Sequence, residues 1–164
     1  MKKFAFLLFG LIFLQGPSLA QDTEEYRSDM TRLKLTTNVE TISSGTPFKV
    51  FLDFDLMEGW HTYADPPGDS GLPVRIAWTL PPAFKAGAIE WPSTETYEDF
   101  GFTTYGYSGK VSLPVTIMPP KNTPSGTYML TAKVDWMVCE KTCIPESAEF
   151  SLSLPVDEES NSNE

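Results

Sequence analysis

Alternation of apolar and polar residues with a period of two recurs through the middle of the chain and predicts β-strands. The pattern is clearest over residues 48–56, where every second side chain is apolar and only Phe51 spoils the polar face. The same alternation predicts four further strands and one weaker candidate: residues 74–80, 111–117, 128–138, 150–154 and, more weakly, 32–42. Each strand would bury one face against a core and leave the other in solvent.

Clusters of Pro, Gly, Ser and Asp separate these strands and predict turns at residues 43–47, 65–71, 81–82 and 119–126. No stretch of a dozen residues shows the period of an amphipathic helix. Short strands at this spacing predict an all-β fold, a two-sheet β-sandwich of immunoglobulin-like type. Pro114 indicates that its strand lies at a sheet edge or turns the proline nitrogen to solvent.

The composition supports one folded domain, rather than two domains or a disordered chain. The 164 residues are 41% hydrophobic, 13% aromatic and 21% charged. Twelve Lys and Arg against 22 Asp and Glu give a formal net charge of −10, with no basic cluster. Such a chain repels phosphate groups, so we expect no nucleic-acid partner.

The N-terminal residues predict export. Two lysines precede an apolar run over residues 4–14, and Ser18-Leu19-Ala20 forms a small-x-small cleavage site. This pattern predicts a signal peptide over residues 1–20 that is cut near Ala20, because the apolar run is about half of what a membrane-spanning helix needs. We therefore expect an exported protein whose mature chain does not insert into the membrane.

Acidic polar segments flank the predicted sandwich. Residues 21–30 and 157–164 are rich in Asp, Glu, Ser and Asn. We predict an acidic N-terminal segment and an acidic disordered tail, both frayed and solvated, on either side of a sandwich over residues 31–156.

Cys139 and Cys143, the only cysteines, provide the clearest candidate chemistry. In an exported protein two cysteines this close can form a disulfide, and the spacing fits a hairpin whose connection is residues 140–142. Counting alternate positions onward from Val138 and back from Phe150 places both sulfurs on the face opposite the core. We therefore expect both sulfurs to be accessible.

The residues alone leave three uses of this pair open. A bridge that closes about five residues stabilises a fold by only about 2 kcal/mol, which favours a redox role over a purely structural bridge. Cu(I) binding by the two thiolates, with His61 or Met137 as a third ligand, is the second candidate. The third is a non-catalytic interaction domain with a structural disulfide. Structural zinc is disfavoured, because four strong ligands are not evident.

Several segments resemble the N-terminal periplasmic domain of DsbD-type disulfide reductases, and especially its ScsB-like branch. They are residues 139–145 with 134–136 before them, the loop 59–63, the run 67–73 and the stretch 113–117. The resemblance spans about residues 32–156. It implies an immunoglobulin-like sandwich, in agreement with the strand pattern, and a periplasmic location for the exported chain.

The resemblance implies that the domain relays electrons by thiol–disulfide exchange through Cys139 and Cys143, without a cofactor. The electron donor would be a thioredoxin-like protein and the acceptors oxidised periplasmic proteins, with Cys143 as the sulfur that bonds the partner. Family members usually continue into a multi-helix membrane domain and a thioredoxin-like domain. This chain shows neither, so we expect that its electrons come from a separate protein or that the redox cycle has been lost.

The resemblance also implies a cap loop made of Glu98, Asp99, Phe100 and Gly101. The apolar ring of Phe100 would exclude stray thiols from the disulfide, and the glycine would let the loop move when a partner docks. An ordinary core position is the alternative for Phe100.

Three further residues would line the same site by resemblance: Trp60, His61 and Tyr63. His61 is the only histidine of the chain. It would sense pH or assist proton transfer, or else be a plain side chain at a strand edge.

Overall fold

The computed structural model describes residues 25–156, which form eleven β-strands. The strands are β1 (Glu25–Arg27), β2 (Thr31–Thr37), β3 (Phe48–Leu56), β4 (His61–Gly68), β5 (Arg75–Thr79), β6 (Lys85–Ile89), β7 (Glu95–Asp99), β8 (Phe102–Ser108), β9 (Lys110–Met118), β10 (Gly126–Cys139) and β11 (Cys143–Val156). Within this part of the chain, no helix is long and apolar enough to cross a membrane. The predicted signal peptide and the predicted acidic tail lie outside the described residues.

The strands form two sheets. The first sheet has the order β1-β2-β3-β9-β6, and the second has the order β11-β10-β4-β8-β7. β5 joins the second sheet by pairing with β10, on residues 131–135, while β4 pairs with residues 138–139. The most enclosed apolar side chains come from both sheets, among them Leu33, Leu52, Leu113, Ile117, Leu130, Phe150 and Leu154. The core between the sheets confirms the predicted two-sheet β-sandwich.

The period-two pattern located the strands that contribute most to the core. β3, β5, β9 and β10 coincide with predicted strands, and β11 contains the predicted segment 150–154 but begins earlier, at Cys143. The weaker candidate over 32–42 is β2, which ends at Thr37. Ile42 then forms an isolated bridge with Val156.

The strands that the pattern missed carry little apolar alternation. β7 is mostly polar, and β4 runs into the predicted turn at residues 65–71, where a shift in its register with β8 accommodates the extra residues. The N-terminal segment is not frayed over its whole length, because Glu25–Arg27 forms β1 and pairs with β2. Tertiary pairing, rather than local alternation, specifies these strands.

The position of Pro114 differs from the prediction. β9 is not an edge strand, since it lies between β3 and β6. The carbonyl of Pro114 accepts a hydrogen bond from the Glu90 nitrogen at 2.8 Å, so this side of the residue faces β6. The last β6–β9 pair is Ile89 with Val115, so the missing N–H of Pro114 faces the backbone just past the end of β6, where it breaks no regular ladder.

Gly106 sets how closely β8 approaches β4. A Cβ atom added to Gly106 would lie 1.8 Å from the backbone oxygen of Thr62, far inside van der Waals contact. Only a residue without a side chain lets the two strands pair here.

We expect Gly106→Ala to lower the free energy of unfolding by about 3 kcal/mol or more, because backbone atoms of β4 would have to move. Gly87→Ala is the matched control, since the nearest atom to its added Cβ is 3.4 Å away. Urea unfolding of both variants measures the difference. Equal stabilities would show that the β4–β8 contact is not tight.

Candidate functional site

The β10–β11 hairpin carries the two cysteines at its tip. Cys139 and Cys143 are cross-strand partners with Cα atoms 4.2 Å apart, and their sulfurs are bonded to each other. Residues 140–142 connect the strands, and the Glu140 nitrogen donates a hydrogen bond to the Thr142 carbonyl at 3.2 Å. The predicted three-residue connection is confirmed.

The two sulfurs differ in exposure. Cys143 is half-buried, whereas Cys139 has no exposed surface at all (0%), so the expectation that both are accessible is wrong for Cys139. The predicted face of Cys139 is correct. Cys139 and its neighbour Tyr63 are buried, but they do not belong to the core between the sheets and so lie on the outer face of the second sheet. However, this outer face is covered near the tip: His61 of β4 pairs with Cys139, and the Tyr63 hydroxyl lies 3.8 Å from the Cys143 sulfur.

Asp99, the last residue of β7, joins three side chains near the disulfide. Its Oδ2 atom accepts hydrogen bonds from His61 Nε2 at 3.0 Å, from the Tyr63 hydroxyl at 2.9 Å and from the Thr104 hydroxyl at 2.7 Å. All four side chains are buried. The carboxylate therefore links β7 and β8 to β4, and through Tyr63 it links them to Cys143.

Phe100 and Gly101 form the two-residue turn between β7 and β8. Their φ angles are 53° and 86°, as a type I′ turn requires. Phe100 is 67% exposed, so the alternative of an ordinary core residue is wrong. Its ring is not enclosed in this oxidised state. Glu98 is also exposed, and it accepts a hydrogen bond from the Thr103 hydroxyl at 3.0 Å.

Two tyrosine rings enclose the His61 imidazole. Tyr97 stacks on it with ring centroids 4.1 Å apart, and Tyr63 meets it edge-on at 5.3 Å. His61 is thus a buried side chain that is hydrogen-bonded to Asp99, rather than a plain side chain at a strand edge. The structure does not bring Trp60 into this group, because Trp60 packs against the core between the sheets.

Sequence reasoning missed Tyr97 and Thr104. One signal was available for Tyr97, because it lies two positions before Asp99 and so shares its face of a strand. Thr104 had no such signal, since only the pairing of β7 with β8 brings it opposite Tyr97.

Burial and hydrogen bonding determine which of the side chains around Asp99 are protonated. Burial raises the pKa of Tyr63, and the hydrogen bond to Asp99 and the charge of Asp99 raise it further. Burial opposes ionisation of Asp99, but hydrogen bonds from Thr104, His61 and Tyr63 outweigh it and lower the Asp99 pKa. Burial and the hydrogen bond to Glu95 raise the pKa of Tyr97 to about 12. At neutral pH, Asp99 is an anion and both tyrosines keep their protons.

The copper alternative gains no support from the geometry. Among residues 25–156, no three or more His, Cys, Asp and Glu side chains are grouped so that they could hold a metal ion. The two candidate cysteine ligands are bonded to each other.

The fold and the site define an immunoglobulin-like sandwich domain with a disulfide at the tip of a hairpin. The family model of the N-terminal domain of the thiol:disulfide interchange protein DsbD matches residues 31–155. The chain belongs to this family. A comparison with curated proteins finds no match.

Two of the solved structures that are similar to this chain are N-terminal domains of ScsB and DsbD. The N-terminal periplasmic domain of ScsB from Proteus mirabilis aligns at 24% identity with a TM-score of 0.64, covering 79% of this chain. The match spans 50% of that ScsB domain, so this chain corresponds to about half of it. The reduced DsbD N-terminal domain of Neisseria meningitidis aligns at 15% identity with a TM-score of 0.47, covering 76% of this chain and 90% of that one.

We expect Asp99→Asn to reduce the acid sensitivity of the domain. Because the folded protein lowers the Asp99 pKa, the stabilisation is complete above the unfolded pKa of about 3.9 and is lost as the pH falls through the folded value. At pH 7 the variant should lose about 1–3 kcal/mol of unfolding free energy, and near pH 3 the difference from the wild type should shrink. Urea unfolding at the two pH values, with Glu98→Gln as the control, measures this. A constant difference would contradict the assignment.

Proposed function

We propose that this domain relays electrons in the periplasm by thiol–disulfide exchange through Cys139 and Cys143. A thioredoxin-like protein is the donor, and oxidised client proteins are the acceptors. The observation that carries the proposal is the bonded cysteine pair at the hairpin tip, with Cys143 half-buried, in a member of the DsbD N-terminal family.

On the donor side, the disulfide of the domain accepts two electrons. A donor thiolate attacks the Cys143 sulfur, the Cys139–Cys143 bond breaks, and Cys139 leaves as a thiolate that takes up a proton. A second donor thiol then attacks the mixed disulfide. The donor leaves oxidised to its disulfide, and both cysteines of the domain are reduced.

On the client side, the same steps run in the other direction. The Cys143 thiolate attacks a client disulfide and forms a mixed disulfide, and one client sulfur leaves. Cys139 then attacks Cys143, which restores the disulfide of the domain and releases the client as a dithiol.

The difference in exposure supports these separate roles. Cys143 is half-buried and so offers its sulfur to an incoming thiolate, whereas Cys139 is closed to solvent. A closed sulfur cannot meet a large partner, but it can attack a neighbour that it already faces across a hairpin. Cys143 is therefore the sulfur that bonds the partner, and Cys139 resolves the mixed disulfide.

Asp99 and Tyr63 would restrain the reactivity of reduced Cys143. The Tyr63 hydroxyl donates its single proton to Asp99, so it presents a lone pair to the sulfur 3.8 Å away. A lone pair and a nearby anion favour the protonated thiol over the thiolate. The reduced domain would then keep its electrons until a docked partner changes these contacts.

The β7–β8 turn supplies a candidate cap. Phe100 is exposed in the oxidised state, and Asp99 at the base of the turn is fixed by three hydrogen bonds. The ring can therefore move at a two-residue turn without disturbing the network below it. We propose that Phe100 swings over the disulfide and away from it.

Export completes the proposal. The basic residues, apolar run and small-x-small site of residues 1–20 support a signal peptide cut near Ala20. An oxidising compartment is also where a disulfide of this kind persists.

We expect Cys139→Ala to trap partners through Cys143, because the mixed disulfide then lacks the thiol that resolves it. Non-reducing gels of the mature protein, mixed with periplasmic extract and thioredoxin-like proteins, should show complexes that dithiothreitol releases. Cys143→Ala is the matched control and should trap far less, since Cys139 is closed to solvent.

Two results would overturn the exchange function. A wild-type potential below about −300 mV in a glutathione series, with no trapped complex, indicates a structural bridge. Stoichiometric Cu(I) uptake that survives a strong chelator would favour the copper alternative instead.

We expect Phe100→Ala to speed reduction of the disulfide by dithiothreitol several-fold, because the sulfurs lose the ring that covers them whenever the turn swings inward. Phe102→Ala is the control, since Phe102 is also exposed and lies in the same hairpin. The rate of thiol release reports the effect. Equal rates of thiol release for both variants would show that Phe100 does not act as a cap.

A further inference from the structure

Strand β1 contacts the cysteine hairpin although it belongs to the other sheet. The Tyr26 ring of β1 meets Trp136 of β10 edge-on, with ring centroids 5.1 Å apart, and the Tyr26 hydroxyl donates a hydrogen bond to Glu146 Oε1 at 3.1 Å. Burial and the Glu146 carboxylate raise the pKa of Tyr26, so the hydroxyl keeps the proton that it donates. β1 precedes the residues 31–155 that the family model matches.

Glu146 is a buried carboxylate, with 8% of its surface exposed. Its second oxygen, Oε2, accepts a hydrogen bond from Trp136 Nε1 at 2.9 Å. A carboxylate is rarely buried unless its oxygens are hydrogen-bonded, and each oxygen here has one donor. Trp136 in turn lies edge-on to Phe54 of β3 at 5.8 Å, so these contacts reach into the core.

The position of this group in the hairpin connects it with the disulfide. Trp136 and Glu146 are cross-strand partners, three rungs behind the pair Cys139 and Cys143. The hydrogen bond between their side chains therefore ties β10 to β11 just behind the tip. We call Tyr26, Trp136 and Glu146 the hairpin clamp.

The clamp and the disulfide restrain the same segment. While the disulfide is closed, the tip is fixed and the clamp costs little additional entropy. Once the disulfide is reduced, the tip gains freedom, and the clamp adds to the strand pairing in limiting how far the two cysteines separate. Two restraints on one segment stabilise each other, so loss of the clamp destabilises the oxidised hairpin more than the reduced one.

We infer that Glu146 is a positioning residue: bound by Trp136 and Tyr26, it keeps the two reduced thiols opposed, so that Cys139 resolves the mixed disulfide on Cys143 quickly. This inference rests on the proposed function, since only a pair that cycles has a reduced state to position. The clamp raises the effective concentration of one thiol towards the other, which favours closing of the disulfide.

The test uses the mature protein in glutathione redox buffers. The equilibrium converts the two thiols and one oxidised glutathione into the protein disulfide and two reduced glutathiones, through a mixed disulfide on one cysteine. Quenched samples give the fractions of dithiol, mixed disulfide and disulfide by mass spectrometry. The variants are Tyr26→Phe, which retains the ring against Trp136, and Glu146→Gln.

The matched control is Ser151→Ala. Ser151 and Thr131 share a side-chain hydrogen bond at 3.2 Å in the same two strands, but eight rungs behind the disulfide. The control thus removes a cross-strand hydrogen bond of the same hairpin far from the thiols.

We expect both clamp variants to lower the equilibrium constant for disulfide formation about threefold, which makes the potential about 14 mV less negative, and to raise the mixed-disulfide fraction. Ser151→Ala should change neither quantity. A purely structural role would lower the stability of the oxidised and reduced forms equally and leave the equilibrium unchanged, and that result overturns the inference. If Glu146→Gln does not fold, the equilibrium constant of the conservative variant Tyr26→Phe decides whether the inference holds.

The two proposals fail in different ways. If the wild type equilibrates with glutathione and traps partners, but the clamp variants match Ser151→Ala, then only the positioning role is wrong. If the redox potential of the wild-type cysteine pair lies below about −300 mV and the protein traps no partner, the exchange function itself is wrong.

Discussion

The uninterrupted pairing of β10 with β11 is the constraint on which the site depends. The strands pair over 14 residues each without a shift in register, and this pairing places Cys139 opposite Cys143 at the last rung. A slip of one residue would turn every side chain of one strand to the opposite face and separate the sulfurs. The inner residues of both strands are core residues, so the apolar core between the sheets fixes the register and with it the chemistry.

Two buried carboxylates then hold the surroundings of the disulfide. Asp99 gathers His61 and Tyr63 on the outer face of the second sheet, whereas Glu146 joins Trp136 next to the core. Both carboxylates are buried with hydrogen-bond donors already in place, so hydrogen bonds offset the cost of burying each one. The Asp99 group joins three strands of the second sheet, and only Tyr26 of the first sheet completes the Glu146 group, so the whole site exists only after the sandwich has closed. The hairpin alone would carry the cysteines and the Trp136–Glu146 hydrogen bond, but neither Asp99 nor Tyr26.

Several errors of the sequence analysis have one physical cause. Parity along a strand tells which face a side chain takes, and it was right for Cys139, but it does not tell what else covers that face. Pro114 was expected at a sheet edge or with its nitrogen towards solvent, but its strand is interior, and the missing N–H is tolerated because it faces the end of β6. Trp60 was expected beside the disulfide, yet it packs against the core. In each case the deciding neighbour comes from a strand distant in sequence.

The sequence by itself determined the sandwich class, the strands with strong alternation, the hairpin connection and the cysteine pair, since these depend on local periodicity and spacing. It also indicated the family and Asp99 as a site residue. Only the tertiary structure decided that Cys139 is closed, that Asp99 bonds Tyr63 and His61, and that β1 reaches Glu146. These contacts join residues from about 35 to 120 positions apart, and which strands become neighbours follows from packing the whole core rather than from any one segment.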